Sequence, residues 1–182
     1  MKKRIRRAIT IITVACIGLS CIGVITYFCL DLKTADIETE DITVDSEVEE
    51  AIHKAILDFN ADESCVIDFA SEAHTILGAE EKDNTIEVYL MALYMGYLKN
   101  EDGKLQEETG SHMPIVITFE KNQNGYVVKE YWEPEDGTEY VDSIKGKFPS
   151  HLWEKALDTQ AYIQRHEETV NKEVKKWESE NR

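Results

Sequence analysis

Glu72 and His74 are the two side chains in this sequence whose types and spacing best suit chemistry. They lie in a stretch, Val66 to Leu77, where polar residues alternate with the apolar Ile67, Phe69 and Leu77, as expected for a half-buried strand. Alternation puts both on one face, roughly 7 Å apart, where a carboxylate can orient an imidazole or share a ligand with it. The alternative is a surface or edge pair that only adds solubility, or a histidine that is held by a structural hydrogen bond. We expect the face opposite Ile67, Phe69 and Leu77 to be solvated, so His74→Ala should open no core cavity and should change stability by less than about 1 kcal/mol.

Two further side chains invite a functional interpretation. Trp132 follows several tyrosines and could form part of an aromatic platform for a sugar or peptide, whereas strand aromatics more often pack in the core. Cys65 would be a nucleophile only if His53 or His74 lay beside it, and otherwise is a small buried apolar residue. No complete catalytic set can be recognised, so we expect no catalytic residue, no metal ligands and no cofactor.

The N-terminal segment predicts a membrane anchor over residues 1–30. The chain carries no charged residue from Ala8 to Leu30, and a helix of that length spans the roughly 30 Å hydrocarbon layer. Five basic residues precede this stretch, which predicts a cytoplasmic N-terminus and a C-terminal domain outside the cell. A cleaved signal peptide is the alternative, but the apolar run is longer than is usual for one.

The exported part is strongly acidic. Beyond Leu30, 15 Lys and Arg residues face 36 Asp and Glu residues, a net charge of −21. Such a surface repels phosphate backbones, so nucleic acid is excluded as a partner. The expected partners are the membrane itself, through a single span, and a membrane protein or cell-envelope ligand. Residues 31–45 are acidic and lack a helical pattern, which predicts an extended linker.

Residues 46–182 predict one α+β domain. Ser46 and Glu49 form a capping box before an apolar stripe that predicts an amphipathic helix ending near Asn60. A strand over Val66 to Leu77, a turn at Gly78, a strand over Ile86 to Leu98 and a hairpin around Asn124-Gly125 follow. Helices begin near Phe148-Pro149, with a break near Asp158. The expected architecture is a helix packed on a curved antiparallel sheet, as in a cystatin-like roll, with C-terminal helices.

Four stretches carry a resemblance to a known family: SEAHTILG (71–78), IEVYLMALY (86–94), PIVITF (114–119) and VKEYWEPEDGTEYVDSIKGKFP (128–149). Together they resemble the extracytoplasmic C-terminal domain of Gram-positive membrane zinc peptidases of the beta-lactam-sensor antirepressor type, over about residues 46–165. The resemblance implies a sensing or accessory domain. The peptidase half is absent, because the HExxH motif of such enzymes does not occur here: His166-Glu167 is followed by Val170.

Three functional hypotheses from different classes follow. The leading one is a non-catalytic, membrane-anchored binding or sensory module. The second is an exported hydrolase-like enzyme that uses Glu72 and His74. The third is a structural protein that docks on a partner through its C-terminal helix, around Tyr162 to Trp177. A concave pocket around Glu72 and His74 with a third polar group would favour the second.

Overall fold

The fold is that of a computed structural model, which describes residues 44–61 and 66–181. Among them, helix α1 (Ser46–Asn60) precedes four strands: β1 (Phe69–Lys82), β2 (Thr85–Lys99), β3 (Leu105–Asn122) and β4 (Gly125–Trp132). Three further helices follow, α2 (Tyr140–Lys147), α3 (Trp153–Leu157) and α4 (Gln160–Glu180). The α+β class is confirmed.

The strands form one antiparallel sheet in the order β1-β2-β3-β4, a meander in which each strand pairs with the next in sequence. The tight turn between β3 and β4 confirms the predicted hairpin, and Gly125 supplies a positive φ at the start of β4. Strands β2 and β3 are therefore central, while β1 and β4 are the edges.

Helices cover both faces of the sheet. The apolar stripe of α1 packs on one face, in a cluster that contains Ile52 and Ile56 together with Val88, Leu90 and Ile117 of the central strands. The opposite face holds two clusters beneath the C-terminal helices, which contribute, among others, Ile144, Leu152, Ala156, Tyr162 and Val170. Thus α4 docks on its own domain by its apolar side.

The start of α1 differs from the predicted capping box. The helix is capped by Asp45, whose carboxylate accepts hydrogen bonds from the backbone N–H groups of Glu47 and Val48, at 2.7 and 3.0 Å. Ser46 is the first helical residue, and the carboxylate of Glu49 contacts His74 instead of returning to the helix start. An aspartate at this position also suits the helix dipole, which explains why it displaces the serine.

The first strand begins and ends later than predicted. β1 starts at Phe69 and continues through the Glu80-Glu81 stretch, where the sequence predicts a turn, and the chain reverses at Asp83, whose φ is 55°. Gly78 lies within the strand, where the register shifts between Ile76 and Gly78. A Cβ on Gly78 would lie 2.7 Å from Cδ1 of Leu152. The glycine thus permits a close approach between strand and helical region and does not form a turn.

We expect Gly78→Ala to lower the free energy of unfolding by about 1 kcal/mol, because Leu152 is buried and has little room to move. Gly146 in α2 is the matched control: a Cβ at this position would have no neighbouring atom within 4 Å, so Gly146→Ala should be neutral or stabilising by up to about 1 kcal/mol. Urea unfolding of both variants measures the difference. Equal effects would contradict this account of Gly78.

The C-terminal region matches the prediction in part. The helical segment after Pro149 breaks at Asp158 and Thr159, as expected. Helix α2 is absent from the sequence prediction, because the turn residues before it and Gly146 within it mask its short pattern. Its one buried residue, Ile144, lies in the cluster beneath the C-terminal helices.

No helix in the described ranges is long and apolar enough to cross a membrane, and the span predicted over residues 8–30 lies outside those ranges. The linker predicted over residues 31–45 lies outside them too, except for Val44 and Asp45. The described residues all belong to one compact unit.

A chain that begins at Ile37 is expected to fold cooperatively, with the same melting temperature with and without reductant, because Cys65 is the only cysteine it retains. A chain that begins at Ser46 would lack the Asp45 cap and should be about 1 kcal/mol less stable. Circular dichroism melts measure both. A broad or reductant-sensitive transition of the longer chain would contradict the one-domain assignment.

Candidate functional site

A polar cleft runs along the outer edge of β1, between α1 and α4. It encloses about 480 Å³ and is lined by side chains that include Glu49 and His53 from α1, Glu72 and His74 from β1, and Arg165 and His166 from α4. We call it the β1-edge cleft. Both residues of the predicted pair therefore line a concave site, and further titratable groups accompany them.

Glu72 is the centre of the α1 side of this cleft. Its side chain is only about 4% exposed, and each of its oxygens lies close to a ring nitrogen: Oε1 is 2.6 Å from Nδ1 of His53 and Oε2 is 3.0 Å from Nδ1 of His74. The other ring nitrogen of His74, Nε2, lies 3.0 Å from the more exposed carboxylate of Glu49. The prediction of a solvated face is therefore wrong, because α1 covers it.

Helical and strand periodicity together explain this convergence. Glu49 and His53 are four residues apart in α1 and so lie on one side of the helix, one turn above the other. Glu72 and His74 are two residues apart in β1 and so share one face of the strand. Because α1 crosses that face, the two pairs meet.

Interactions between the carboxylates and the imidazoles on this side of the cleft determine which of them are charged. Burial by itself raises the pKa of Glu72, but the hydrogen bonds and positive charge of His74 and His53 outweigh it and the pKa is lowered. Burial similarly lowers the pKa of His74, yet Glu72 and Glu49 reverse the effect and the pKa is raised. The Glu72 carboxylate is thus held ionised, and the His74 imidazolium persists to higher pH than that of a free histidine.

A second polar network lies on the α4 side of β1. Thr75 Oγ1 lies 2.8 Å from Nε2 of His166, and Nδ1 of His166 lies 3.2 Å from Nε2 of His112 on β3. The guanidinium of Arg165 donates to the same Thr75 hydroxyl. Since Arg165 only donates, the network is complete when the hydroxyl donates to His166 and His166 donates to His112.

His166 is 1% exposed and stays neutral in this environment. Burial, together with the nearby His112, Arg165 and His74, lowers its pKa to about 4. Burial also lowers the pKa of His112. Four of the five histidines in the sequence therefore belong to the two networks, and His151, which is exposed, does not.

The remaining sequence candidates lie elsewhere. Trp132 is at the end of β4, on the opposite edge of the sheet, where it is partly buried and packs edge-on against Phe148 with ring centroids 6.1 Å apart. It does not line the β1-edge cleft. Cys65 lies outside the described residues. Within residues 44–61 and 66–181, no three His, Cys, Asp or Glu side chains are arranged to hold a metal ion.

Sequence reasoning missed His53 and His166 as partners in this site. His166 could have been found, because it interrupts the otherwise apolar stripe of α4 between Tyr162 and Val170, and a polar residue there requires a buried partner. His53 gives a weaker signal: it borders the buried stripe of α1, and only the three-dimensional packing identifies Glu72 as its partner.

Comparison of the chain with known protein families, curated proteins and solved structures finds no match.

Proposed function

We propose that this protein is a membrane-anchored extracytoplasmic binding or sensory module, and that its ligand site is the β1-edge cleft. The proposal includes an N-terminal anchor over residues 8–30 and a cytoplasmic N-terminus. The resemblance to the extracytoplasmic C-terminal domain of the membrane zinc peptidases supports a sensing or accessory role. For the fold, we propose a cystatin-like arrangement in which α1 lies across the sheet.

One observation carries the proposal: a buried carboxylate and its histidine partners line a concave site. Glu72 forms a hydrogen bond with His53 and another with His74 at the wall of the cleft. Buried ionic groups seldom add net stability compared with apolar residues of the same size, so such a group at a cavity is a candidate binding site. The cleft offers both donors and acceptors, which suits a polar ligand better than an apolar one.

The test uses nuclear magnetic resonance of the five histidine rings in the full chain. A panel of muropeptides, cationic and anionic peptides and Zn²⁺ is added, one probe at a time. We expect at least one probe to shift the ring resonances of His53, His74 or His166 without shifting exposed His151. If no probe does so, or if all histidines shift alike, the cleft is not a ligand site.

A hydrolase-like enzyme is the second candidate, and the network around Thr75 is the observation that favours it. A hydroxyl 2.8 Å from a neutral imidazole, itself held by His112, has the order of groups used in nucleophilic catalysis. Glu72 and His74 would then bind the substrate alongside it. Labelling by an activated ester distinguishes the two candidates: acylation of Thr75 that Thr75→Val abolishes favours the enzyme, and its absence favours the binding module.

A further inference from the structure

The outer edge of β1 differs from the other edge of the sheet. β4 is short, at eight residues, and its middle is exposed and carries Lys129 and Glu130, which are common devices against strand pairing. β1 has 14 residues, contains no proline, and has its first lysine only at Lys82, its last position. No strand among the described residues pairs with its outer edge.

The outer edge of β1, which pairs with no described strand, forms the floor of the β1-edge cleft. Consecutive residues from Glu72 to Ile76 line the cleft, and their side chains are mostly buried because α1 covers one face of the strand and α4 the other. The register against β2 is regular from Phe69 to Ile76 and shifts only after that point. This segment is therefore a regularly paired strand whose outer backbone edge lies between α1 and α4.

We infer that the cleft binds an extended, basic peptide segment of a partner protein, which adds to the sheet as a fifth strand beside β1. The inference rests on the proposed function, because it names the ligand of the same cleft. Main-chain hydrogen bonds supply the affinity in this mode of recognition, and alternate side chains supply the specificity. Successive side chains of the incoming strand would face α1 and α4 in turn.

Charge selects a basic segment. The cleft carries the carboxylates of Glu49, Glu72 and Glu173 against the single guanidinium of Arg165 and the imidazoles of His53 and His74, while His166 stays neutral. The exported part as a whole has a net charge of −21, from 15 basic and 36 acidic residues, which attracts a cationic partner and repels an acidic one. Of the two cleft carboxylates that contact His74, Glu49 is the more accessible, with a side chain 46% exposed.

Hydrogen exchange of the full chain tests this inference, with an acetylated eight-residue peptide of alternating lysine and threonine as the probe. We expect the probe to slow exchange of those amides between Phe69 and Leu77 that point away from β2 by about tenfold, and to leave the amides of β4 unchanged. The same peptide with every backbone amide methylated keeps its charge and has no backbone N–H to donate from either edge, so it should give no protection. An alternating glutamate and threonine peptide should also fail to bind.

Matched variants test the role of charge. Glu49→Gln should weaken binding of the lysine and threonine peptide about threefold to tenfold, while Glu154→Gln, the same change on a helix that does not line the cleft, should leave it unchanged. Equal protection by the methylated peptide, protection at β4, or no protection by any peptide would overturn the inference. If the peptide inference fails but a probe from the nuclear magnetic resonance test still shifts the cleft histidines, the proposed function stands alone. If no probe shifts them, the inference and the proposed function both fail.

Discussion

His74→Ala is expected to lower the free energy of unfolding by about 2 to 3 kcal/mol at pH 6, well above the effect of an ordinary surface substitution. The physical reason is the carboxylate of Glu72, which is buried and would keep His53 as its only histidine partner. A buried ionised group that loses a hydrogen-bonded counter-charge retains its desolvation cost. Chemical unfolding measured by fluorescence gives the difference.

The effect should depend on pH in a defined direction. The pKa of His74 is raised in the folded protein, so its contribution is complete below about pH 6.5 and is lost as the pH rises through the folded value. The loss in His74→Ala should therefore shrink at pH 9. Glu72→Leu is the control background: without the buried carboxylate, removing His74 should cost less than about 1 kcal/mol. A loss that is small at pH 6, or unchanged when Glu72→Leu is also present, would contradict the account.

Acid is expected to destabilise the domain through His166, by about 2 kcal/mol between pH 7 and pH 5. The pKa of this histidine is about 4 in the folded protein and 6.5 in the unfolded chain, so the unfolded state binds more protons in this interval and stability falls as the pH falls. The raised pKa of His74 has the opposite effect over the same range, because it stabilises the folded protein as the pH falls. The pKa of Glu72 is lowered, so the stability that Glu72 contributes is lost only at lower pH.

A comparison of variants isolates the contribution of His166. His166→Gln should lower stability at pH 7, because the Thr75 hydroxyl loses the imidazole that accepts its proton. The difference in unfolding free energy from the unsubstituted protein should narrow by about 2 kcal/mol at pH 5. Thr75→Val disturbs the same network but keeps His166, so its difference in unfolding free energy from the unsubstituted protein should be nearly the same at pH 7 and pH 5. If the unfolding free energies of the protein and of His166→Gln changed in parallel with pH, the pKa of His166 would not be lowered in the folded state.

The sequence predicts the fold well where local chemistry decides it. The β3-β4 hairpin and the apolar stripe of α1 follow from patterns that tertiary packing did not change. β2 is harder, because its run from Val88 to Tyr94 is apolar at every position and so has no alternation. The structure explains this pattern: helices cover both faces of the sheet, so both sets of side chains along β2 are buried.

The same feature explains why the site could be predicted only in part. Alternation correctly placed Glu72 and His74 on one face of a strand, but it does not reveal what lies on that face. With α1 above it, the expected solvated surface became the wall of a cleft, and Glu72 became a buried group. The partners His53 and His166 come from other segments of the chain, and a single sequence does not show which residues such side chains will contact.

The docking of α4 has a consequence for how the domain assembles. The meander of strands forms between neighbours in sequence, whereas the contacts of Thr75 with Arg165 and His166 join residues 90 and 91 positions apart. Closing so long a loop costs more entropy than closing a hairpin and tends to occur late in folding. One wall of the cleft is therefore supplied by α4, which follows the whole sheet in sequence. A nascent or C-terminally shortened protein would have the sheet before it has the site.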